Sequence, residues 1–333
     1  MKKRLLHFDV IKLLAILWVL LVHYITDYRP QLSRYWNEPP CSWLLSGATG
    51  KLAVAVFAVI LGYFAYAQGR EKNLLSLIVK RYISFFVMGL FINTILLFCV
   101  ERAPIGVYYL KLLLRVTATI EADIFPAFWC MKSFLAGSII SYINGKYRLS
   151  FLPVFFMTVI LALTKNTWIA ICLMGNMLYL LTTLTEGDRR IQRWIRDYRV
   201  QCIFLIIVFF AIKRPESETA YLIDGVCAVL FLAVVDTNRH ICSLFSNPTL
   251  AYLGKSSMGV YLMHTIVYDT VALWLGVSPD GSIWLFMAGL VLSVCIAVAL
   301  SIVVVKCINA CANCLYQVVV KLCSPLKFID LTG

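Results

Sequence analysis

Charged residues are scarce in this 333-residue chain. They make up 14% of the sequence, whereas hydrophobic residues make up 61%, and soluble domains carry about 25% charged residues. This composition excludes an ordinary soluble globular protein. The apolar–polar alternation of a transmembrane β-barrel is also missing, as are internal repeats, low-complexity tracts and a separate polar domain. We therefore expect a single all-α, polytopic membrane domain over residues 1–333.

Acidic residues are scarcer than basic ones, with 17 Asp and Glu against 30 Lys and Arg. No nucleic-acid-binding motif accompanies this excess. Instead, the basic residues concentrate in alternate loops, which the positive-inside rule places in the cytoplasm. No signal-peptide cleavage site follows the basic residues 1–4, so we expect the first apolar segment to be retained. The expected environment is the lipid bilayer of the cell (inner or plasma) membrane, and no nucleic-acid partner is expected.

Ten apolar segments are predicted to cross the membrane, which would place both termini in the cytoplasm. Their approximate bounds are residues 10–25, 42–67, 82–100, 126–143, 149–163, 168–184, 200–212, 221–235, 257–275 and 283–305. The fifth and seventh are shorter than the roughly 20 residues of a typical spanning helix. Between the third and the fourth, the amphipathic stretch Tyr108–Arg115 predicts a helix that lies on the membrane or caps a cavity.

The chain has 12 cysteines, most of them inside apolar segments, where cysteine behaves as a small packing residue. Disulfides are not indicated. Cys307, Cys311 and Cys314 lie close together but lack a fourth ligand, so we expect no metal.

The first apolar segment carries three ionisable residues, Asp9, Lys12 and His23. Inserting an Asp or Lys at the centre of a membrane helix costs about 2.5–3.5 kcal/mol on insertion scales, so such residues usually mark a functional site. In a helix, Lys12 and His23 share one face about 16 Å apart along the axis, and Asp9 lies on the same side as Lys12. The segment is therefore predicted to present an acid–base pair near its start and an imidazole near its end.

Four stretches of the chain resemble a known family. Lys12 followed by ten residues and His23, Phe57–Phe64, Lys80–Ser84 and Leu253–His264 are similar, in the same order, to motifs of the integral-membrane acyltransferase 3 family. The resemblance covers nearly the whole chain. Two positions depart from the family pattern. Leu61 stands where a serine is usual, and Lys12 replaces the commoner arginine. Arginine can form a bidentate pair with a phosphate, whereas lysine contacts it as a point charge.

This resemblance implies a function. Members move an acyl group, usually acetyl, from cytoplasmic acyl-CoA to a hydroxyl of a cell-surface or exported polysaccharide or a lipid-linked sugar. His23 is then expected to act as the general base or as a transient acyl carrier, two roles that the sequence leaves open. Lys12, Arg70, Lys80 and Arg81 are expected to hold the phosphates of acetyl-CoA, the co-substrate, and Asp9 to hold Lys12 in place.

Three further residues are expected near the substrate cavity. Trp129 either lines it or anchors the helix at the interface, Tyr261 belongs to the late motif, and His264 is favoured as a residue that packs or hydrogen-bonds between helices. Two other functions remain open. The Lys12–His23 stripe suits the path of a sugar or lipid transporter, although carboxylates are few in the spans. Leu61 is the best support for a family member without catalytic activity.

Overall fold

The computed structural model describes residues 6–28, 47–100, 102–121, 130–183, 194–211, 218–278 and 281–323. Every regular element within these ranges is helical. The helices are α1 Leu6–Tyr28, α2 Gly47–Gly69, α3 Leu74–Thr94 (continued by a π-helical segment, Ile95–Val100), α4 Val107–Thr119, α5 Met131–Lys146, α6 Phe151–Leu163, α7 Thr167–Thr183, α8 Tyr198–Ala211, α9 Glu218–Thr237, α10 Arg239–Leu244, α11 Pro248–Gly254, α12 Ser257–Leu275 and α13 Ile283–Cys323.

Each of the ten predicted segments overlaps a helix, and the parts of them at residues 42–46, 126–129, 184 and 212 lie outside the described residues. Within the described ranges, six stretches are long and apolar enough to cross a membrane by length and composition: Leu6–Tyr28, Gly50–Gly69, Leu74–Phe98, Ala220–Thr237, Ser257–Leu275 and Ile283–Leu322. Helices α6, α7 and α8 contain shorter apolar stretches. The all-helical membrane fold is therefore confirmed, while the count of ten spans and the side on which the termini lie stay predictions. The amphipathic stretch Tyr108–Arg115 does form a helix, α4.

Helix α13 is longer than the sequence suggested. The last span was predicted to end near residue 305, but the helix runs for 41 residues to Cys323. At 1.5 Å per residue it is about 60 Å long, twice the hydrocarbon thickness of a bilayer. No proline interrupts the chain until Pro325, so nothing in the backbone chemistry ends the helix at the membrane surface.

Helix α2 occupies the centre of the bundle. It packs against α1, α5, α7 and α9, and the whole stretch Ala53–Ile60 is buried, as expected for a helix that is apolar on all sides. Glycines let its backbone touch that of α7. A Cβ at Gly62 would overlap the carbonyl of Cys172, and one at Gly175 would overlap that of Val59. This is the close small-residue packing typical of membrane helices.

Helix α1 runs antiparallel to α2. The ring of Phe8 lies 5.1 Å from that of Tyr63, and Val22 lies beside Gly50. At its start, His7 Nε2 is 3.0 Å from Asp236 Oδ1 at the end of α9. The start of α1 is therefore packed against the end of α9, a segment more than 200 residues later in the chain.

The short helix α11 covers the beginning of α1. Its first turn is stabilised by the side chain of Asn247, which accepts hydrogen bonds from the backbone N–H groups of Thr249 and Leu250, and Pro248 follows this cap directly. Both are features of a stable helix start. At the other end of α11, Gly254 touches the backbone carbonyl of Asp9, and a Cβ there would overlap it. The late Leu-Gly motif is thus placed against Asp9 of α1.

Candidate active site at the two ends of helix α1

Asp9 and Lys12 form the ion pair that their spacing predicted. Lys12 Nζ lies 2.7 Å from Asp9 Oδ1, with 5% of the Asp9 side chain and 21% of the Lys12 side chain exposed. Charges removed from water are tolerated when they are paired at this distance. The local pair therefore explains how a membrane helix can carry both residues.

Lys12 opens onto a cavity of about 570 Å³ between α1, α2, α3, α5, α12 and α13. Lys12, Arg81 and Lys255 contribute three cations to its lining, and Asp9 contributes the one carboxylate among the described residues that line it. The volume lies within the roughly 300–1,000 Å³ of typical small-molecule pockets. Leu61, the position that departs from the family pattern, is also in the wall and makes it more apolar there.

Arg81 is the most buried of these cations. Its Nε is inaccessible and has no hydrogen-bond partner among the described residues, while its guanidinium carbon lies 5.1 Å from the centre of the Phe85 ring. An unpaired buried N–H is unfavourable, so an acceptor from a ligand in the cavity would stabilise Arg81. Lys255 was missed at the sequence level, although it directly follows Gly254 in the late motif.

A second, larger space lies at the N-terminal end of α3. This groove of about 1,230 Å³ is bordered by Arg70, Lys72, Lys80 and Lys146, with Glu71 as the one acid among its described lining residues. The far part of α13 forms one wall, where Tyr316 Oη lies 2.6 Å from Ser76 Oγ. The predicted phosphate-binding set is therefore divided. Arg70 and Lys80 lie in the groove, whereas Lys12 and Arg81 lie in the cavity.

His23 lies near the other end of α1, on an accessible part of the helix. Its ring centre is 5.3 Å from that of His264 on α12. His264 is only 2% exposed, and its Nδ1 donates to the backbone carbonyl of Tyr261, one turn earlier. Tyr261 Oη in turn lies 3.4 Å from Cys130 Sγ. The structure thus brings His23, His264 and Tyr261 together, while Trp129 lies outside the described residues.

The end of α1 is closed by two reciprocal hydrogen bonds to α12. Tyr28 Oη donates to Asp269 Oδ1 at 2.7 Å, and Tyr268 Oη donates to Asp27 Oδ2 at 2.6 Å. The clasp was not predicted, because Asp27 and Tyr28 lie beyond the predicted end of the first span and their partners are 241 residues away in sequence. Each aspartate accepts a hydrogen bond from a tyrosine, which keeps its charge tolerable near the membrane.

The two ends of α1 are separated along its axis. Lys12 and His23 are about 16 Å apart. The cavity reaches Phe57, which lies level with Ala15 in the antiparallel register of α1 and α2, so about 12 Å of α1 remains before His23. A ligand that contacts both Lys12 and His23 must therefore be long and extended.

The helical bundle thus presents a cationic cavity at one end of α1 and two neighbouring histidines near the other. The family model for an acyltransferase domain, Acyl_transf_3, matches residues 5–302. No curated protein and no solved structure matches the chain significantly. The chain belongs to the acyltransferase 3 family and is a multi-pass membrane acyltransferase.

Proposed function

We propose that the protein is an O-acetyltransferase of the cell membrane. It transfers an acetyl group from cytoplasmic acetyl-CoA to a hydroxyl of a cell-surface or exported polysaccharide or a lipid-linked sugar. The observation that carries this proposal is the cavity beside Lys12. Its described lining includes the cations Lys12, Arg81 and Lys255, and the helix that carries Lys12 presents His23 about 16 Å further along.

The two basic spaces suit the two phosphate groups of coenzyme A. The diphosphate binds at the cavity, where Arg81 offers a planar fork and Lys12 and Lys255 offer point charges. The 3′-phosphate of the nucleotide binds in the groove, which Lys72 and Lys146 border. Consecutive residues on α3 connect these spaces, since Lys80 lines the groove and Arg81 lines the cavity. The long pantetheine arm then carries the thioester from the diphosphate toward His23.

At His23, the acceptor hydroxyl attacks the carbonyl carbon of the thioester. The imidazole takes the hydroxyl proton as the new C–O bond forms. The C–S bond then breaks, and the departing thiolate of coenzyme A receives that proton. A route through an acetyl-imidazole on His23 gives the same products in two steps. In both routes the donor enters at the Lys12 end of α1 and the acceptor approaches the accessible His23 end.

The test uses the purified full-length protein, acetyl-CoA labelled in the acetyl group, and a saccharide acceptor. We expect CoA release that depends on the acceptor, and a rate that falls about 10²- to 10⁴-fold in His23→Gln, the usual share of a general base. His240→Gln is the matched control, because His240 is exposed on α10, and α10 contacts α1 at His7, at the opposite end of that helix from His23. A native rate in His23→Gln would refute the role of His23.

A cellular measurement completes the test. Mass spectrometry of the surface glycans should show O-acetyl groups with the native protein and none with His23→Ala at the same expression level. If a full deletion leaves these glycans unchanged and the purified protein releases no CoA, a sugar or lipid transporter becomes the better explanation.

A further inference from the structure

The hydrogen bonding of His264 fixes where its proton lies. Its Nδ1 faces the backbone carbonyl oxygen of Tyr261, and a carbonyl oxygen can only accept. The neutral imidazole therefore carries its hydrogen on Nδ1 and its lone pair on Nε2. The nitrogen that points away from the backbone of α12 is a hydrogen-bond acceptor.

That acceptor is buried without a donor. Nε2 of His264 is inaccessible and has no hydrogen-bond partner among the described residues. Three rings surround His264, with centres at 5.3 Å for His23, 5.7 Å for Tyr261 and 6.0 Å for Tyr268. The Tyr268 hydroxyl already donates its one hydrogen to Asp27, and the Tyr261 hydroxyl lies beside Cys130. His23 is the neighbour that carries an N–H without a hydrogen-bond partner in the described structure.

We propose that His264 is a positioning residue for His23. Its Nε2 accepts a hydrogen bond from one ring N–H of His23, which leaves the lone pair on the other nitrogen of His23 for the acceptor hydroxyl. Two imidazoles with centres 5.3 Å apart can form this bond edge to edge after a small rotation of the exposed His23 side chain. The catalytic meaning of this arrangement rests on the proposed function, whereas the hydrogen bond itself does not.

A fixed tautomer is what a histidine base requires. Neutral imidazole exists in two forms, and only the one with its lone pair toward the hydroxyl can take the proton. Serine hydrolases fix this form with a carboxylate. Here a neutral imidazole does so without adding a negative charge inside the membrane. During transfer the hydroxyl proton moves to His23 and then to the departing thiolate, while His264 keeps its own proton on Nδ1.

Asp27 is the other possible partner, because it lies one turn beyond His23 on α1. Its Oδ2 already accepts the hydrogen bond from Tyr268, and the Tyr28–Asp269 bond beside it holds the same two helix ends together. The experiment therefore has to separate His264 from Asp27.

The chain contains four histidines, so nitrogen-15 labelling of histidine in the full-length protein gives a spectrum that can be assigned residue by residue. Proton–nitrogen correlations report the tautomer of each ring. We expect His23 in one tautomer in the native protein and in Asp27→Asn. His264→Leu removes the acceptor and should give a mixture of tautomers, whereas His264→Gln supplies a carbonyl oxygen and should restore the single form.

Activity provides a second readout. With acetyl-CoA and a saccharide acceptor, His264→Leu should lower kcat about 10- to 100-fold, a part of the general-base contribution, with KM for acetyl-CoA unchanged. His264→Gln should recover most of that loss, which a residue needed only for packing would not show.

A spectrum of the native protein that shows both tautomers of His23 would overturn the proposal. This outcome does not depend on whether any variant folds. An unchanged single tautomer in a folded His264→Leu would overturn it as well. Absence of CoA release by the native protein would count against the acetyltransferase and leave the spectroscopic result valid.

Discussion

Lys12 Nζ lies 2.7 Å from Asp9 Oδ1, one turn earlier on the same membrane helix. Asp9 is almost completely buried, and its backbone carbonyl touches Gly254 of α11. The pair therefore does two things. It neutralises both charges inside the bundle, and it holds the ammonium at the wall of the cationic cavity.

A double-mutant cycle measures the strength of this pair. Asp9→Asn removes the carboxylate that lies 2.7 Å from the Lys12 ammonium, and Lys12→Met removes that ammonium from Asp9, so each single change should destabilise the protein. The double variant should lose less than the sum, with a coupling of about 1–3 kcal/mol. Thermal unfolding of the detergent-solubilised variants, compared at equal protein concentration, provides the values. Strictly additive losses would mean that the two side chains do not stabilise each other.

If the basic groove binds acetyl-CoA, removing its charges should raise KM for this donor. The double change Lys72→Gln and Lys146→Gln removes two charges from its border, so KM for acetyl-CoA should rise about fivefold or more while kcat stays close to native. Lys111→Gln, an exposed position on α4, is the matched control and should change neither value. Steady-state kinetics at fixed ionic strength measure both.

The same variant can show which phosphate the groove holds. A donor without the 3′-phosphate should bind the native protein less tightly, and the two groove changes should then add almost nothing. An equal loss with both donors would place the 3′-phosphate elsewhere.

The clasp between α1 and α12 predicts a loss of stability. Tyr28→Phe and Tyr268→Phe each remove a hydroxyl that donates to an aspartate, so each should lower the free energy of unfolding by about 1–3 kcal/mol. Tyr147→Phe is the control, since the Tyr147 side chain is 71% exposed. Unfolding curves of the three variants provide the comparison. If all three variants lose equally little free energy of unfolding, the clasp does not hold the helices together.

The contact between α2 and α7 predicts that one added methyl is harmful. Gly175→Ala places a Cβ against the carbonyl of Val59, so the helices must separate, at a cost of about 1–3 kcal/mol for an overpacked core. Gly50→Ala is the matched control on α2, because the nearest atom to a Cβ there is a Val22 methyl at 3.7 Å. Thermal unfolding should show a clear loss for the first change and none for the second.

Hydropathy in the sequence predicted the helices well, because long apolar runs and the need to satisfy every backbone group allow few alternatives in a membrane. The local pair of Asp9 and Lys12 was predictable for the same reason, since spacing within one helix fixes it. By contrast, the clasp joins positions 241 residues apart, and no local rule indicates such a contact. Its discovery required the tertiary structure.

Two further differences have local causes. The adjacency of Lys80 and Arg81 in the sequence suggests one phosphate-binding cluster, but adjacent residues in a helix point about 100° apart. They consequently line different spaces. The length of α13 was underestimated because the apolar run weakens near Lys306 while the helix-forming sequence continues. Hydropathy reports the membrane boundary, and it does not report where a helix ends.

The contact between Gly254 and Asp9 also bears on how the protein is made. The two positions are 245 residues apart, and at about 5–20 residues per second the ribosome needs roughly 12 to 50 s to synthesise the chain between them. During that interval α1 resides in the bilayer without the helix that later covers its start. The Asp9–Lys12 ion pair forms within α1 itself. Helix α1 can therefore enter the membrane with these two charges already paired, before the helices that pack against it are synthesised.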